Sequence, residues 1–198
     1  MLDARTVFIK NGCHIGTQRK VAPMRKFIYR IRPDGLAIIN AQLAIERIKV
    51  AARFLARYDP KDILVVASRE QAQYPARKFA ELIGANHVVG RFMPGTLTNP
   101  DKAYFIEPKV LIVADPYGDR QAIAEAAKQG LPVVSLASTN NIYPHVDLIV
   151  PCNNKGRRAL AAVYWLLTNF VLKERKELTA DSIPEKVEDF VSPKQQEE

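Results

Sequence analysis

The sequence predicts an α/β fold: a three-layer sandwich with a central parallel sheet, preceded by an N-terminal extension that holds a β-hairpin. Two observations carry that expectation. Short strand-like runs recur at residues 63–67, 110–114, 132–137 and 146–150, and the first two are continuously apolar, as in strands buried on both faces. Stretches of helical periodicity stand between them, and strand–helix–strand alternation means a parallel sheet covered on each side. Right-handed crossovers then gather the carboxyl ends of the strands on one rim. Ser68 and Arg69, and residues 90–99, 115–119, 138–141 and 153–158, are expected there.

Taken in order, residues 4–20 combine a short helix with the loop NGCHIGTQRK. Residues 27–40, FIYRIRPDGLAIIN, read as a β-hairpin or two linked strands. Pro33 presets φ, Asp34 bonds back to the chain and Gly35 accepts a positive φ. Residues 41–58 place Leu43, Ala44, Ile48, Ala51, Ala52 and Leu55 on one helical face. Asn40 is its expected N-cap, and Asp59-Pro60 its stop. After the strand at 63–67, Ser68 and Gln71 suggest a capping box for a helix reaching about Ile83, with Pro75 tolerated only near the first turn. Gly84 is a natural C-terminal stop, and 87–89 a further short strand.

Residues 108–132, PKVLIVADPYGDRQAIAEAAKQGLP, are the most informative stretch. A buried strand runs into an Asp-rich turn, then a helix with Ile123, Ala126 and Ala127 inward, a glycine stop at Gly130 and the next strand. Residues 156–173 form a long helix with Leu160, Val163, Leu166, Leu167 and Phe170 on one face. From 177 to 198 the chain is polar and acidic without periodicity. Residues 1–176 therefore read as one α/β domain that includes the basic N-terminal segment, and 177–198 as an acidic extended tail that orders only against a partner.

Composition narrows function. The 198 residues carry a formal net charge of +8, with 47% hydrophobic and 25% charged residues. The positive charge is uneven: residues 1–35 hold eight Lys and Arg against two acids, whereas 177–198 hold two Lys against seven acids. The body's field attracts polyanions, nucleic acid first and anionic membrane second, with a basic soluble enzyme as the bland alternative. No apolar run approaches the ~20 residues needed to cross a bilayer. No secretory pattern opens the chain, and two cysteines, Cys13 and Cys152, fit a reducing cytoplasm.

Catalytic signatures are weak. Asp115 and Asp119 follow a buried strand, where carboxylates can bind Mg²⁺ or accept a phosphoryl group. The competing reading is that Asp119 caps a helix and Asp115 bonds turn amides. No Gly-rich dinucleotide fingerprint follows a strand, no C-x-x-C motif exists, and His14, His87 and His145 are isolated from one another. No cofactor, metal or small-molecule substrate is expected.

Three basic constellations point to phosphate instead. Residues 86–100, NHVVGRFMPGTLTNP, contain no acid and offer Arg91, Thr98 and Asn99. At NNKGRR, Lys155, Arg157 and Arg158 crowd a helix start, where the dipole favours anions. The N-terminal cluster is Arg19, Lys20, Arg25, Lys26, Arg30 and Arg32. Strand alternation there sets Lys26, Arg30 and Arg32 opposite Phe27, Tyr29 and Ile31, the apolar set facing the core.

GCHIGTQ at 12–18, KFIYRIRPDGLAIIN at 26–40, GRFMPGTLTNP at 90–100, the 108–132 block and NNKGRRALAAVYWLL at 153–167 occur in order. With them the chain resembles the S-two family of small-subunit ribosomal proteins, of archaeal type, over roughly residues 4–191. The resemblance implies a flavodoxin-like sandwich and a non-enzymatic role in the small (30S) subunit, binding its ribosomal RNA between head and body and contacting neighbouring ribosomal proteins. Bacterial members carry an inserted helical hairpin; no sustained heptad segment is present here, so no inserted coiled coil is expected. The family supplies no catalytic residues. The competing reading remains a phosphate-handling α/β enzyme using Asp115 and Asp119.

Overall fold

The computed structural model describes residues 3–178 and 182–192. In chain order the elements are α1 (Ala4–Lys10), β1 (Ile28–Ile31), β2 (Ala37–Ile39), α2 (Ala41–Leu55), β3 (Ile63–Ala67), α3 (Glu70–Ile83), β4 (Asn86–Val89), β5 (Val110–Val113), α4 (Arg120–Gln129), β6 (Val133–Ala137), β7 (Leu148–Pro151) and α5 (Arg157–Glu174). The last five strands form one parallel sheet in the order β4-β3-β5-β6-β7. Numbered from β3, that order is 2-1-3-4-5, the flavodoxin-like arrangement, with its switch point between β3 and β5.

The two faces of the sheet are covered unequally. Ile63, Val65, Val110, Ile112, Val134 and Leu136 point into a large core shared with α1, α2, α3 and α5. Leu64, Val66, Leu111, Val113 and Val133 point the other way, onto α4 and onto Phe92 and Leu97 of the β4–β5 connection. Because β3 and β5 are buried on both sides, their sequences read as unbroken apolar runs.

Several local expectations hold for the stated reasons. The Asn40 side chain accepts from the amides of Gln42 and Leu43, capping α2. Gly84 and Gly130 end α3 and α4 with φ of 74° and 68°, which a side chain would strain. The β1–β2 hairpin turns through Pro33-Asp34-Gly35: the Gly35 amide donates to the Arg32 carbonyl at 2.9 Å and the Leu36 amide to Asp34 at 3.1 Å.

Others are corrected. α2 stops at Leu55, and Leu43 is exposed. Ser68 does not cap α3, whose N-cap Arg69 makes no side-chain cap bond; Pro75 lies in the second turn. Ala127 is exposed, and Ala122 and Glu125 take the inward positions on α4. α5 has no solvent stripe over most of its length: Ala159 through Asn169 are all buried, because α2, α3 and the turn at Val187–Phe190 surround it.

That turn also changes the reading of the acidic C-terminal stretch. Its described residues 182–192 lie against the body. Phe190 is fully buried and Ile183 nearly so. The Ile183 amide donates to Asn169 Oδ1 at 2.8 Å, and Trp165 Nε1 donates to the Glu185 carbonyl at 2.8 Å. A few apolar anchors and hydrogen bonds suffice to dock a segment whose average composition is polar. Residues 179–181 and 193–198 lie outside the described residues.

Candidate nucleic-acid interface

The strand carboxyl ends carry a buried polar network. Asp115, just after β5, pairs with the Arg69 guanidinium that follows β3. Its Oδ1 accepts from Asn141 Nδ2 at 2.8 Å, from Asn154 Nδ2 at 3.3 Å and from the Tyr117 amide at 3.2 Å. Asn141 and Asn154 follow β6 and β7, and they bond each other at 3.1 Å. One carboxylate therefore ties together the turns of four strands.

Asp119 works beside it. Its Oδ1 accepts from the Ser68 amide at 2.8 Å, and its Oδ2 accepts from the amides of Ala114 and Asp115 at 3.1 and 3.0 Å. It occupies the N-cap position of α4, but its side chain makes no cap bond and turns back to the strand ends instead. Burial pushes its carboxyl pKa up, against the pull of these amides. Both acids lie at the β3–β5 switch point, where flavodoxin-like proteins hold ligands. Here the chain's own amides, Asn141, Asn154 and Arg69 occupy the carboxylate oxygens.

The N-terminal segment is bolted to the same rim. The Asn153 amide donates to the Cys13 carbonyl at 2.8 Å, the Thr17 amide to Thr139 Oγ1 at 2.8 Å and the Val21 amide to the Thr139 carbonyl at 3.0 Å. A Cβ added to Gly16 would come within 2.6 Å of Thr139 Cγ2 and 2.8 Å of the Ala37 carbonyl, so this crossing requires glycine. The basic N-terminal residues are thereby held on the β6–β7 side.

The predicted site residues separate accordingly. Lys155, Arg157 and Arg158 are exposed at the start of α5, where Asn153 Oδ1 accepts from the amides of Lys155 and Gly156 at 3.1 and 3.2 Å. Arg19, Arg25, Lys26, Arg30 and Arg32 are exposed on the N-terminal segment and hairpin. Lys20 is half-buried and donates to the Gly35 carbonyl at 3.1 Å, which braces the hairpin turn. Arg32 pairs with Asp34 at 3.3 Å on the surface.

Arg91, Thr98 and Asn99 are elsewhere. Arg91 is exposed just beyond β4, the far edge of the sheet. Four strand spacings, about 19 Å, separate that edge from β7. The connection does not stay on the rim, as expected from sequence. It descends along α4, where Glu125 accepts from the amides of Gly95 at 2.9 Å and Leu97 at 3.1 Å. Thr98 ends in a groove with Lys109, Gln129 and Leu131, at the opposite end of the strands. Asn99 Oδ1 accepts from the Asp101 amide at 3.1 Å and so shapes its own turn.

The hairpin departs from expectation more sharply. Phe27 is buried, but Tyr29 is 70% exposed and Ile31 55% exposed. β2 turns Ala37 and Ile39 into the body, whereas the outer strand β1 carries Tyr29 and Ile31 on a face that no core covers. Sequence alternation identified the strand but not what covers it. Glu125 was also missed; only a carboxylate at an otherwise inward helical position hinted at it.

The comparisons agree with this architecture. The family model described as Ribosomal protein S2 matches residues 8–104 and 102–173. The chain is 51% identical over 168 residues to the small ribosomal subunit protein uS2 of the archaeon Haloquadratum walsbyi (strain DSM 16790 / HBSQ001). That alignment covers 85% of this chain and 60% of the relative's length. With a matched region running from α1 to the end of α5 and a sheet in flavodoxin-like order, the chain belongs to the Ribosomal protein S2 family.

Proposed function

We propose that the chain is a structural component of the small ribosomal subunit that binds small-subunit ribosomal RNA without catalysing a reaction. The observation that carries this reading is how charge is sorted at the rim. Asp115 and Asp119 are buried and bonded, while Lys155, Arg157, Arg158, Arg19, Arg25 and Lys26 are exposed. Such a surface neutralises phosphates, and displaced counterions drive the binding. Duplex RNA is read mainly by shape, which suits cations held on a rigid scaffold. Arg30, Arg32 and Arg91 extend the phosphate-contacting set, and Lys20 supports it through the hairpin turn.

The wild-type protein should cosediment with small subunits at moderate salt. Replacing Lys155, Arg157 and Arg158 together by Gln should weaken RNA binding across unrelated sequences and lower the salt slope by about one per lost phosphate contact. An unchanged slope would remove those three residues from the interface. The enzyme alternative predicts Mg²⁺-dependent turnover that disappears in Asp115→Asn with Asp119→Asn. The occupied state of both carboxylates argues against it.

A further inference from the structure

Tyr29 stands as a ridge between two grooves. On one side a groove of about 350 Å³ is walled by Ile9, His14, Ile38, Asn40 and Gln42, with Arg5 also lining it. On the other a groove of about 480 Å³ is walled by Lys20, Arg25, Ile28, Arg30 and Ile31. The first is mostly apolar with amide groups among its walls. Burial lowers the His14 pKa by disfavouring its charged form. The second presents three cations and no carboxylate.

We propose that the β1–β2 hairpin binds a single-stranded stretch of RNA, its phosphates following Lys20, Arg25 and Arg30 and an unpaired base stacking on Tyr29 over the apolar groove. This rests on the RNA-binding reading above and narrows it. Cations alone would serve a duplex equally well. Among RNAs, an exposed aromatic ring beside an apolar groove serves a base that is free of its helix rather than a duplex. The alternation of a π face with flanking cations matches the alternation of base and phosphate along one strand. The hairpin is fixed through Gly16 and Thr139 to the rim, so the site is preformed.

The test measures fluorescence anisotropy with a labelled oligoadenylate of about 12 nucleotides and with an RNA duplex of the same length. Tyr29→Ala should weaken oligoadenylate binding by about 5- to 150-fold and leave duplex binding unchanged. Tyr29→Phe should keep the affinity; Tyr29→Leu, which has bulk without a ring, should behave as Ala. Arg25→Gln with Arg30→Gln should weaken both ligands. The proposal is overturned if Tyr29→Ala leaves oligoadenylate binding intact, or if both ligands suffer equally. It is also overturned if Tyr29→Ala binds both RNAs normally but no longer cosediments with small subunits, which would assign the hairpin to a protein partner. Failure of the wild-type protein to cosediment would instead sink the ribosomal reading itself, whatever Tyr29 does.

Discussion

Two clusters of charge share one end of this molecule and behave oppositely. Beneath the rim, Asp115, Asp119, Arg69, Asn141 and Asn154 are bonded to one another and to the turns around them. Above it, Lys155, Arg157, Arg158 and the N-terminal bases stand in solvent. The inner cluster spends its hydrogen-bonding capacity on holding loops in place. The outer one is exposed, where an anion can reach it. Acidic residues at the carboxyl end of a sheet are therefore no evidence of catalysis until their oxygens are counted.

The comparison breaks first at Asp119. Asp119→Ala leaves the Ser68 and Asp115 amides without their acceptor, while the Ala114 amide keeps the Val66 carbonyl at 3.1 Å, and should cost about 3–5 kcal/mol, read as a lower urea midpoint at unchanged m-value. RNA affinity of the fraction that remains folded should be unaffected. Loss of affinity with full stability would reverse the roles assigned to the two clusters.

Phe190→Ala tests whether the acidic C-terminal stretch belongs to the body. Phe190 is fully buried and lies beneath Lys78, whose Nζ is 5.2 Å from the ring centroid. Truncation should cost about 3 kcal/mol by thermal or urea unfolding. A change below about 0.5 kcal/mol, the range of surface substitutions, would return the segment to a loosely attached tail.

Glu125 sharpens the contrast through pH. Burial pushes its carboxyl up, but the Gly95 amide, the Gln121 side chain and the Leu97 amide outweigh that and hold it below its usual value of 4.5. A depressed acid adds stability above its unfolded pKa, and that stability is lost as pH falls through the lower folded value. Asp119 has the opposite sign, because its raised folded pKa removes stability as pH climbs above 3.8. Glu125→Gln should cost about 1–2 kcal/mol at neutral pH and remove part of the acid-side decline. An unchanged unfolding profile between pH 3 and 6 would show that Glu125 does not hold the β4–β5 connection.

The smallest effect on stability is expected outside. Replacing Lys155, Arg157 and Arg158 by Gln should move folding stability by no more than about 0.5 kcal/mol while RNA retention falls. A large destabilisation would place these cations in the inner, structural set.

Much of the scaffold was legible from local signals. Continuous apolar runs gave β3 and β5, Asn40 and the two left-handed glycines set helix ends, and Pro33-Asp34-Gly35 set the hairpin, because each acts within a few residues. The candidate site was legible only as composition. Sequence named the cations but placed Thr98 and Asn99 on the wrong end of the strands, and it sent Tyr29 and Ile31 into a core that does not reach them. A two-residue period tells which side chains share a face and carries no information on what covers that face.

What the sequence alone determined is the alternating α/β order, the parallel sheet and the excess of positive charge in the body, since these follow from periodicity, capping and counting. Only the tertiary structure decided that the turn carboxylates are consumed at the switch point, that residues 182–192 dock on α3 and α5, and that a tyrosine ridge stands between two grooves. Those facts depend on groups that meet across the chain, Arg69 with Asp115 and Thr17 with Thr139 among them, and such meetings are fixed by the packing of the whole sheet rather than by any local pattern.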